Sequence, residues 1–444
     1  MGRNIVTPNI DSIVSLAKRR GIIFPGSDIY GGLGNTWDYG PLGVELKNNV
    51  KQSWWKSMVQ QNSNIYGMDS SILMNPKVWE VSGHTNNFSD PLSECKVCHS
   101  RYRSDELIDP TKCLKCEGPL TPERQFNLMF KTFVGPLEDE AAQIWLRPET
   151  AQGIFINFKN IVNSMHPKLP FGIAQIGKSF RNEITPGNFI YKTREFEQME
   201  MEFFVSPDTD AEWYEYWVNT RFNWYSSIGI REQNLRLREH SQKELAHYAK
   251  ATKDIEFLFP WGWGELEGIA NRTDFDLSTH DNGSEGDLKY FDQIRQDHYF
   301  PYVIEPAAGV DRTVLALLLD AYDEEPLNNE KNEVRSVLKL HPKMSPITVA
   351  ILPLSRNDLL VPKSKTLFER LQNQFKCSYD DAQSIGKRYR RQDEIGTPLC
   401  VTIDFETVNT DDAVTVRHRD TMEQERIPSD NLVKYIQDQL DLYV

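Results

Sequence analysis

Apolar and polar residues alternate with a period of two through residues 171–204, the most regular stretch of the chain. Successive side chains of a strand point to opposite faces. In the first half, Gln175, Ser179, Arg181 and Glu183 share one face, with Ala174, Ile176 and Phe180 on the other. In the second, Arg194, Phe196, Gln198, Glu200 and Glu202 are opposed by Met199, Met201, Phe203 and Val205. The pattern predicts two strands joined by a basic loop, one side apolar enough to bury and the other rich in arginine and carboxylate. A solvated sheet face would alternate in the same way. Residues 254–271 also read as strands, with Trp263, Glu265, Glu267 and Ile269 expected on one side and Gly262, Gly264 and Gly268 on the other. Glycines on one side of a strand permit close approach of a ligand or another backbone. Residues 302–319 predict a strand that turns through Gly309 into a helix with Arg312 in its first turn.

Helical spacing appears elsewhere. Residues 11–20 place Ile13, Leu16 and Ala17 on one face, with Gly21 as the stop. The turn-rich stretch after them lacks a Walker lysine pattern and reads as a connector. Pro41 suits the first position of a helix in which Leu46, Val50, Trp54 and Met58 recur every four residues, a stripe expected in the core or at a subunit interface. Trp213, Tyr214, Trp217 and Trp224 form an aromatic stripe within residues 208–228, also expected in the core. From residue 345, Pro346, Pro353 and Pro362 punctuate a strand–helix alternation that predicts a small α/β domain. Within it, Lys387, Arg388, Tyr389, Arg390 and Arg391 suit either a solvated helix face or phosphate and stacking contacts with single-stranded RNA.

Composition sets outer bounds. The 444 residues suffice for about two or three domains. Charged residues are 26% and hydrophobic ones 39%, as in globular proteins, and no apolar run approaches the ~20 residues of a membrane span. The opening MGRNIVTPNIDS carries neither an apolar signal core nor an Arg/Ser-rich presequence, so a cytoplasmic protein without membrane contact is expected. A net charge of −14 does not announce a nucleic-acid binder, so any RNA contact must use local basic patches. Four of the six cysteines form Cys95-x2-Cys98 and Cys113-x2-Cys116, close to zinc-ribbon spacing. Four thiolates close the coordination sphere, which predicts a structural Zn²⁺ holding an insert over residues 89–141; neighbouring His99 is the weaker alternative ligand. Cys377 and Cys400 lie far apart and read as buried thiols.

Arg181-Asn182-Glu183 after Phe180 resembles the second signature motif of class II aminoacyl-tRNA synthetases, and Gly309-Val310-Asp311-Arg312 resembles the third. The first motif, a helix followed by a strand with an interface proline, is similar to residues 40–59 and then 72–78 around Pro76. Within the class, NPKVWEVSGH (75–84), RPETAQG (147–153), ITPGNF (184–189) and GIANRTDFDL (268–277) are most similar to the homodimeric glycyl enzymes of subclass IIa.

The resemblance implies a mixed α/β (α+β) fold: an antiparallel class II sheet flanked by helices over residues 1–88 and 142–342, the zinc-ribbon insert, and an anticodon-binding domain over residues 346–444. It implies a homodimer that uses ATP with Mg²⁺ to activate glycine and charge tRNA(Gly). Arg181 would meet the α-phosphate and Arg312 the γ-phosphate, as the catalytic pair. Phe196 would stack on adenine and Glu183 accept from its amine, with Asn182, Tyr191, Leu266 and Gly309 also around the nucleotide. Glu265 would hold the Mg²⁺; Glu267 is either a second acid of that site, or merely solvated or salt-bridged to a nearby arginine. Glu149, Glu200 and Glu305 would surround the ammonium of glycine, with Arg103, Phe196, Ala307 and Gly309 completing the pocket. Ala307 departs from the Glu-Pro-Ser usual in the glycyl family. Two other readings are weighed: a non-catalytic nucleic-acid-binding relative, which would not need Arg181, Glu183, Glu265 and Arg312 together, and a threonyl-type enzyme, whose histidine-ligated zinc is unlike the four cysteines here.

Overall fold

The structure, a computed structural model, describes residues 9–136, 138–327 and 333–442. The opening residues 1–8, where a targeting signal was sought, lie outside the described residues. A seven-stranded sheet is built from β1 (Ile65–Gly67), β2 (Phe171–Phe180), β3 (Glu195–Val205), β4 (Leu235–Glu239), β5 (Ala251–Phe259), β6 (Gly262–Thr273) and β7 (Tyr302–Gly309), in the spatial order β4-β5-β6-β7-β3-β2-β1. All its pairs are antiparallel except β1 with β2.

The period-two pattern decides what each face meets. Met199, Met201, Phe203 and Val205 of β3 are buried with the aromatic residues of the helix Asp210–Ser227, the stripe Leu46, Val50 and Trp54 of the helix Pro41–Trp55, and Val314, Leu315 and Leu318 of the helix Val310–Ala321. Pro41 opens its helix behind Gly40, as expected. The first helix, Ile10–Arg19, buries Ile13, Leu16 and Ala17 in the same core, and Asn9 Oδ1 caps it by accepting from Asp11 N. On the opposite face, Ile173 and Phe204 lie under the helices Ala151–Met165 and Phe275–Asn282, which cover one end of the sheet and leave the other end open.

Three expectations are corrected. Residues 72–78 are not a strand: Asn75 Oδ1 accepts from Lys77 N and Pro76 starts the helix Lys77–Val81, because proline has no N–H to lose there. The strand that comes after the helix Pro41–Trp55 is β1. The first strand of the central hairpin ends at Phe180, so Arg181 and Glu183 lie in the turn beyond it, and Arg194 precedes β3. Glu265 and Glu267 do not share a face. Ile255 pairs with Glu267 but Glu256 pairs with Glu265, so Leu266 is an extra residue and the alternation slips. Leu266 then turns into the core, and Glu267, fully buried, pairs with Arg221 at 2.7 Å.

The cysteine-bearing segment adds a three-stranded sheet of Arg101–Arg103, Ser89–Glu94 and Arg124–Asn127. Residues beyond 345 form a separate five-stranded sheet, parallel among Cys377–Tyr379, Val349–Pro353 and Leu399–Ile403 and antiparallel through Ala413–His418 and Gln424–Pro428. The helices Leu360–Leu371 and Leu432–Asp441 contribute buried residues to its main core, while Ile385 and Tyr389 of the helix Ile385–Ile395 pack on a second cluster of Ala350, Leu352 and Cys400. Cys400 is buried as expected while Cys377 is only partly so, and desolvation pushes both thiols up to about 12.

Candidate active site

A cleft of about 300 Å³ opens at the uncovered end of the sheet. Its floor is set by strand register. One row across five strands runs Asp254, Gly268, Ala307, Glu200, Gln175, and the next runs Thr252, Ala270, Glu305, Glu202, Ile173. A Cβ at Gly268 would lie 3.7 Å from Asp254 Oδ1, so the glycine leaves this part of the floor open.

Arg181 and Arg312, 131 positions apart in the chain, both line this cleft. Arg181 donates Nε–H to Pro148 O at 3.0 Å, and its guanidinium lies 5.3 Å from the ring centroids of both Phe88 and Phe196. Its terminal nitrogens make no hydrogen bond among the described residues. Arg312 is held by Tyr191 O, Glu265 O and the Glu265 carboxylate, the last at 3.1 Å. Its helix is anchored by Asp311, which accepts from Tyr39 Oη at 2.6 Å, Lys47 Nζ at 3.0 Å and Glu197 N at 2.8 Å. Glu183 pairs with Lys192 at 3.3 Å on the cleft wall.

At the other end of the cleft, carboxylates gather. Glu149 lies 3.3 Å from His84 Nε2 and accepts from Gln152 Nε2 at 3.0 Å. Burial alone would raise its pKa, but His84, Arg272 and Gln152 hold it well below the usual carboxylate range. Glu200 accepts from both the backbone N–H and the hydroxyl of Thr150, the residue before the helix Ala151–Met165. Glu305 accepts from Arg272, which also grips Asp276 at 2.7 Å and lies 3.9 Å under the Tyr248 ring. Burial pushes Glu200 up to about 7, helped by Glu149, and Glu305 up to about 8 against the pull of Arg272.

The structure thus brings Arg181, Glu183, Tyr191, Phe196, Glu265, Gly309, Arg312, Glu149, Glu200, Glu305 and Ala307 to one cleft. Three expected residues are not on its wall. Leu266 faces the core because of the bulge. Asn182 bonds through its backbone N–H to Leu128 O at 2.7 Å. Arg103 is engaged by Asp90, Asp105 and Glu106. Sequence reasoning assigned no role to Arg272, Tyr248, His240 or Asp254. Arg272 and Asp276 stand four apart within GIANRTDFDL, but the strand ends at Thr273 and the helix begins at Phe275 between them, so no helical spacing signalled their pairing.

The four cysteine sulfurs lie within 4.8 Å of one another, with Cys95 and Cys116 at 3.5 Å and Cys98 and Cys113 at 3.5 Å. No disulfide joins them. Tetrahedral Zn–S bonds of ~2.3 Å imply sulfurs about 3.8 Å apart, and N–H groups of Val97 and Lys115 point at Cys95 and Cys113, so the donor set fits zinc. His99 bonds Glu94 at 3.2 Å and is exposed.

The basic run of the C-terminal unit is mostly spent within it. Arg388 is 1% exposed and donates to the carbonyls of Pro353, Asp380 and Leu354; Arg391 pairs with Asp380; and Tyr389 bonds Thr402 at 2.6 Å. Neither expected reading describes Arg388, Tyr389 and Arg391: they are neither a solvated face nor free for phosphate, but tie the unit together.

Residues 130–322 match the tRNA synthetase class II core domain (G, H, P, S and T), and residues 348–439 match the anticodon binding domain. Together with the antiparallel sheet and its paired arginines, these matches make the chain a class II aminoacyl-tRNA synthetase, an ATP- and Mg²⁺-using ligase class. It is 55% identical to glycine–tRNA ligase of Thermobifida fusca over 453 residues, spanning 97% of this chain and 98% of that one. Identity to the glycine–tRNA ligase of Acetivibrio thermocellus is 54% over 464 residues (98% and 99% covered) and to that of Streptomyces coelicolor 54% over 453 residues (97% and 98%). The chain belongs to the glycine–tRNA ligase family. No helix among the described residues is long and apolar enough to cross a membrane.

Proposed function

We propose that this chain activates glycine with ATP, forming glycyl-adenylate and pyrophosphate, and transfers the glycyl group to the 3′-terminal adenosine of tRNA(Gly). The observation that carries the reading is the shared cleft: Arg181, whose terminal nitrogens are unbonded among the described residues, and Arg312 share it with three acids fitted to an ammonium. The guanidinium edge of Arg181 meets the α-phosphate, where negative charge grows as the glycine carboxylate attacks. Arg312 meets the γ-phosphate of a bent nucleotide, and Phe196 and Glu183 serve the adenine, with Tyr191 and Gly309 lining the same end. A carboxylate is already nucleophilic, so positioning and charge stabilisation suffice without a general base. Mg²⁺ would neutralise phosphate charge beside Glu265, which must then be shared with or released by Arg312.

Glu149, Glu200 and Glu305 draw the ammonium, and Arg272 fixes Glu305. Exclusion by size favours the smallest amino acid, and Ala307, lacking the family's hydroxyl, adds no bulk to the floor. Cys95, Cys98, Cys113 and Cys116 would hold one structural Zn²⁺, which ties the insert of residues 89–141 together. The remaining assignments go with this reading: a cytoplasmic homodimer, with residues 1–88 and 142–342 catalytic and residues 346–444 contacting the tRNA. Exchange of labelled pyrophosphate into ATP, measured with each amino acid in turn, tests the core of it. Exchange that depends on glycine is expected; dependence on another amino acid, or no exchange at all, overturns it.

A further inference from the structure

Behind the acids of the cleft sits a carboxyl that the proposed reaction does not use. Glu202 is fully buried, and neither of its carboxyl oxygens has a hydrogen-bond partner among the described residues. The register that pairs Glu200 with Ala307 and Phe203 with Ile304 sets Glu202 across from Glu305. Its other cross-strand neighbour is Ile173, part of the apolar cluster under the helix Ala151–Met165. One carboxyl oxygen from each of Glu200, Glu202 and Glu305 lies within 4.8 Å of the other two.

Three carboxylates at that separation, out of water, cannot all be ionised without a matching set of cations. The charged groups facing Glu202 are Glu305 from β7, Arg272 from β6, Glu200 from its own strand and Asp276 from the helix Phe275–Asn282. Arg272 is the one cation among them, and it is already divided between Asp276 and Glu305. The donors also rank the acids. Glu305 accepts from Arg272 and Glu200 from two groups of Thr150, both of which favour the ionised form, whereas Glu202 accepts from nothing among the described residues. Burial and Glu305 push Glu202 in the same direction, well above the ordinary carboxylate range.

We propose that Glu202 is a positioning residue that stays un-ionised and donates one hydrogen bond from its carboxyl O–H to a carboxyl oxygen beside it, fixing the remaining lone pairs for a ligand ammonium. No bond of Glu202 is made or broken in this role. The proton remains on Glu202, whereas Glu200 and Glu305, raised only to about 7 and 8, release theirs to solvent as the ammonium takes its place beside them. A neutral acid acting as a hydrogen-bond donor spares the cleft a further like charge and leaves Arg272 to Glu305 and Asp276.

Two measurements test this, the first without any substrate. The infrared spectrum of the unliganded protein at about pH 8 should contain the carbonyl stretch of a protonated carboxyl that disappears in Glu202→Gln; its absence from the wild-type spectrum overturns the proposal. The second rests on the proposed glycine activation. Glu202→Gln keeps a neutral donor of the same shape and should leave the glycine KM within about threefold of wild type. Glu202→Leu removes the donor and should raise the glycine KM at least about tenfold with the ATP KM unchanged. Equal impairment of the two variants would mean that the charge matters, and equal activity that the residue is idle; either overturns the proposal. If a variant fails to fold, a protonated-carboxyl band in the wild type that persists at about pH 9.5, above the values of Glu200 and Glu305, decides alone, and its loss by that pH counts against the proposal. A protein with the band but no glycine-dependent exchange would keep the protonated Glu202 while removing the proposed substrate.

Discussion

Two arginine-rich regions look alike in the chain and differ in the fold. Arg181 in the cleft uses one nitrogen on Pro148 O, and its terminal nitrogens, between two aromatic rings, have no hydrogen-bond partner among the described residues. Arg388 in the helix Ile385–Ile395 is buried and bonded to three backbone carbonyls. Both are cations near aromatic residues, yet one is available to a ligand and the other is a structural tie. What separates them is where their donors end: a guanidinium whose donors meet carbonyls inside the protein has little left for phosphate. Two acids of β6 repeat the contrast at closer range. Glu265 is half exposed at the cleft beside Arg312, and Glu267, two residues on, is sealed in the core with Arg221.

Substitutions can break these pairs apart. The largest effect is expected for Arg181→Ala, which should slow glycine-dependent pyrophosphate exchange by about 10²–10³-fold, as for loss of a donor to developing charge. Its thermal unfolding should match wild type, and near-normal exchange would remove Arg181 from its role. Next, Glu267→Ala strands a buried guanidinium and should cost about 3–5 kcal/mol in a denaturant titration. Glu265→Ala in the same experiment should stay within about 0.5 kcal/mol while exchange and its Mg²⁺ dependence suffer. If both lose equal stability, the bulge has been misjudged as the divider. Arg388→Ala should cost about 2–3 kcal/mol through its lost carbonyl bonds, with exchange per folded molecule unchanged.

The smallest effect is one of pH. Burial raises Glu200 to about 7 and Glu305 to about 8, against an unfolded carboxyl near ~4.3. Protonation then favours the folded form, so their contribution is fully present below the unfolded value and is lost as pH rises through about 7 to 8. The melting temperature of the unliganded protein should therefore fall between about pH 5.5 and 8.5 by more than it does in a Glu200→Gln, Glu305→Gln variant. Parallel pH profiles for the two proteins would show that these carboxyls are not raised.

Much of this arrangement was legible in the order of residues. The alternation through residues 195–205 specified which side of β3 is apolar, because a strand offers only two faces. The spacing of the four cysteines specified a metal-fitted cluster, since two tight turns bring each pair together locally. The motif resemblance pointed to the arginines and acids of the cleft. The sequence could not place Glu267, because one inserted residue at Leu266 reverses the facing of the next positions, and that bulge exists only in the pairing of β5 with β6. Nor could it say which arginines of the run 387–391 are consumed, since their carbonyl partners come from Pro353, Leu354 and Asp380 in other segments. Local periodicity sets the side a residue faces. Which partner waits on that side depends on strands brought together from distant parts of the chain, and that was decided by the tertiary structure alone.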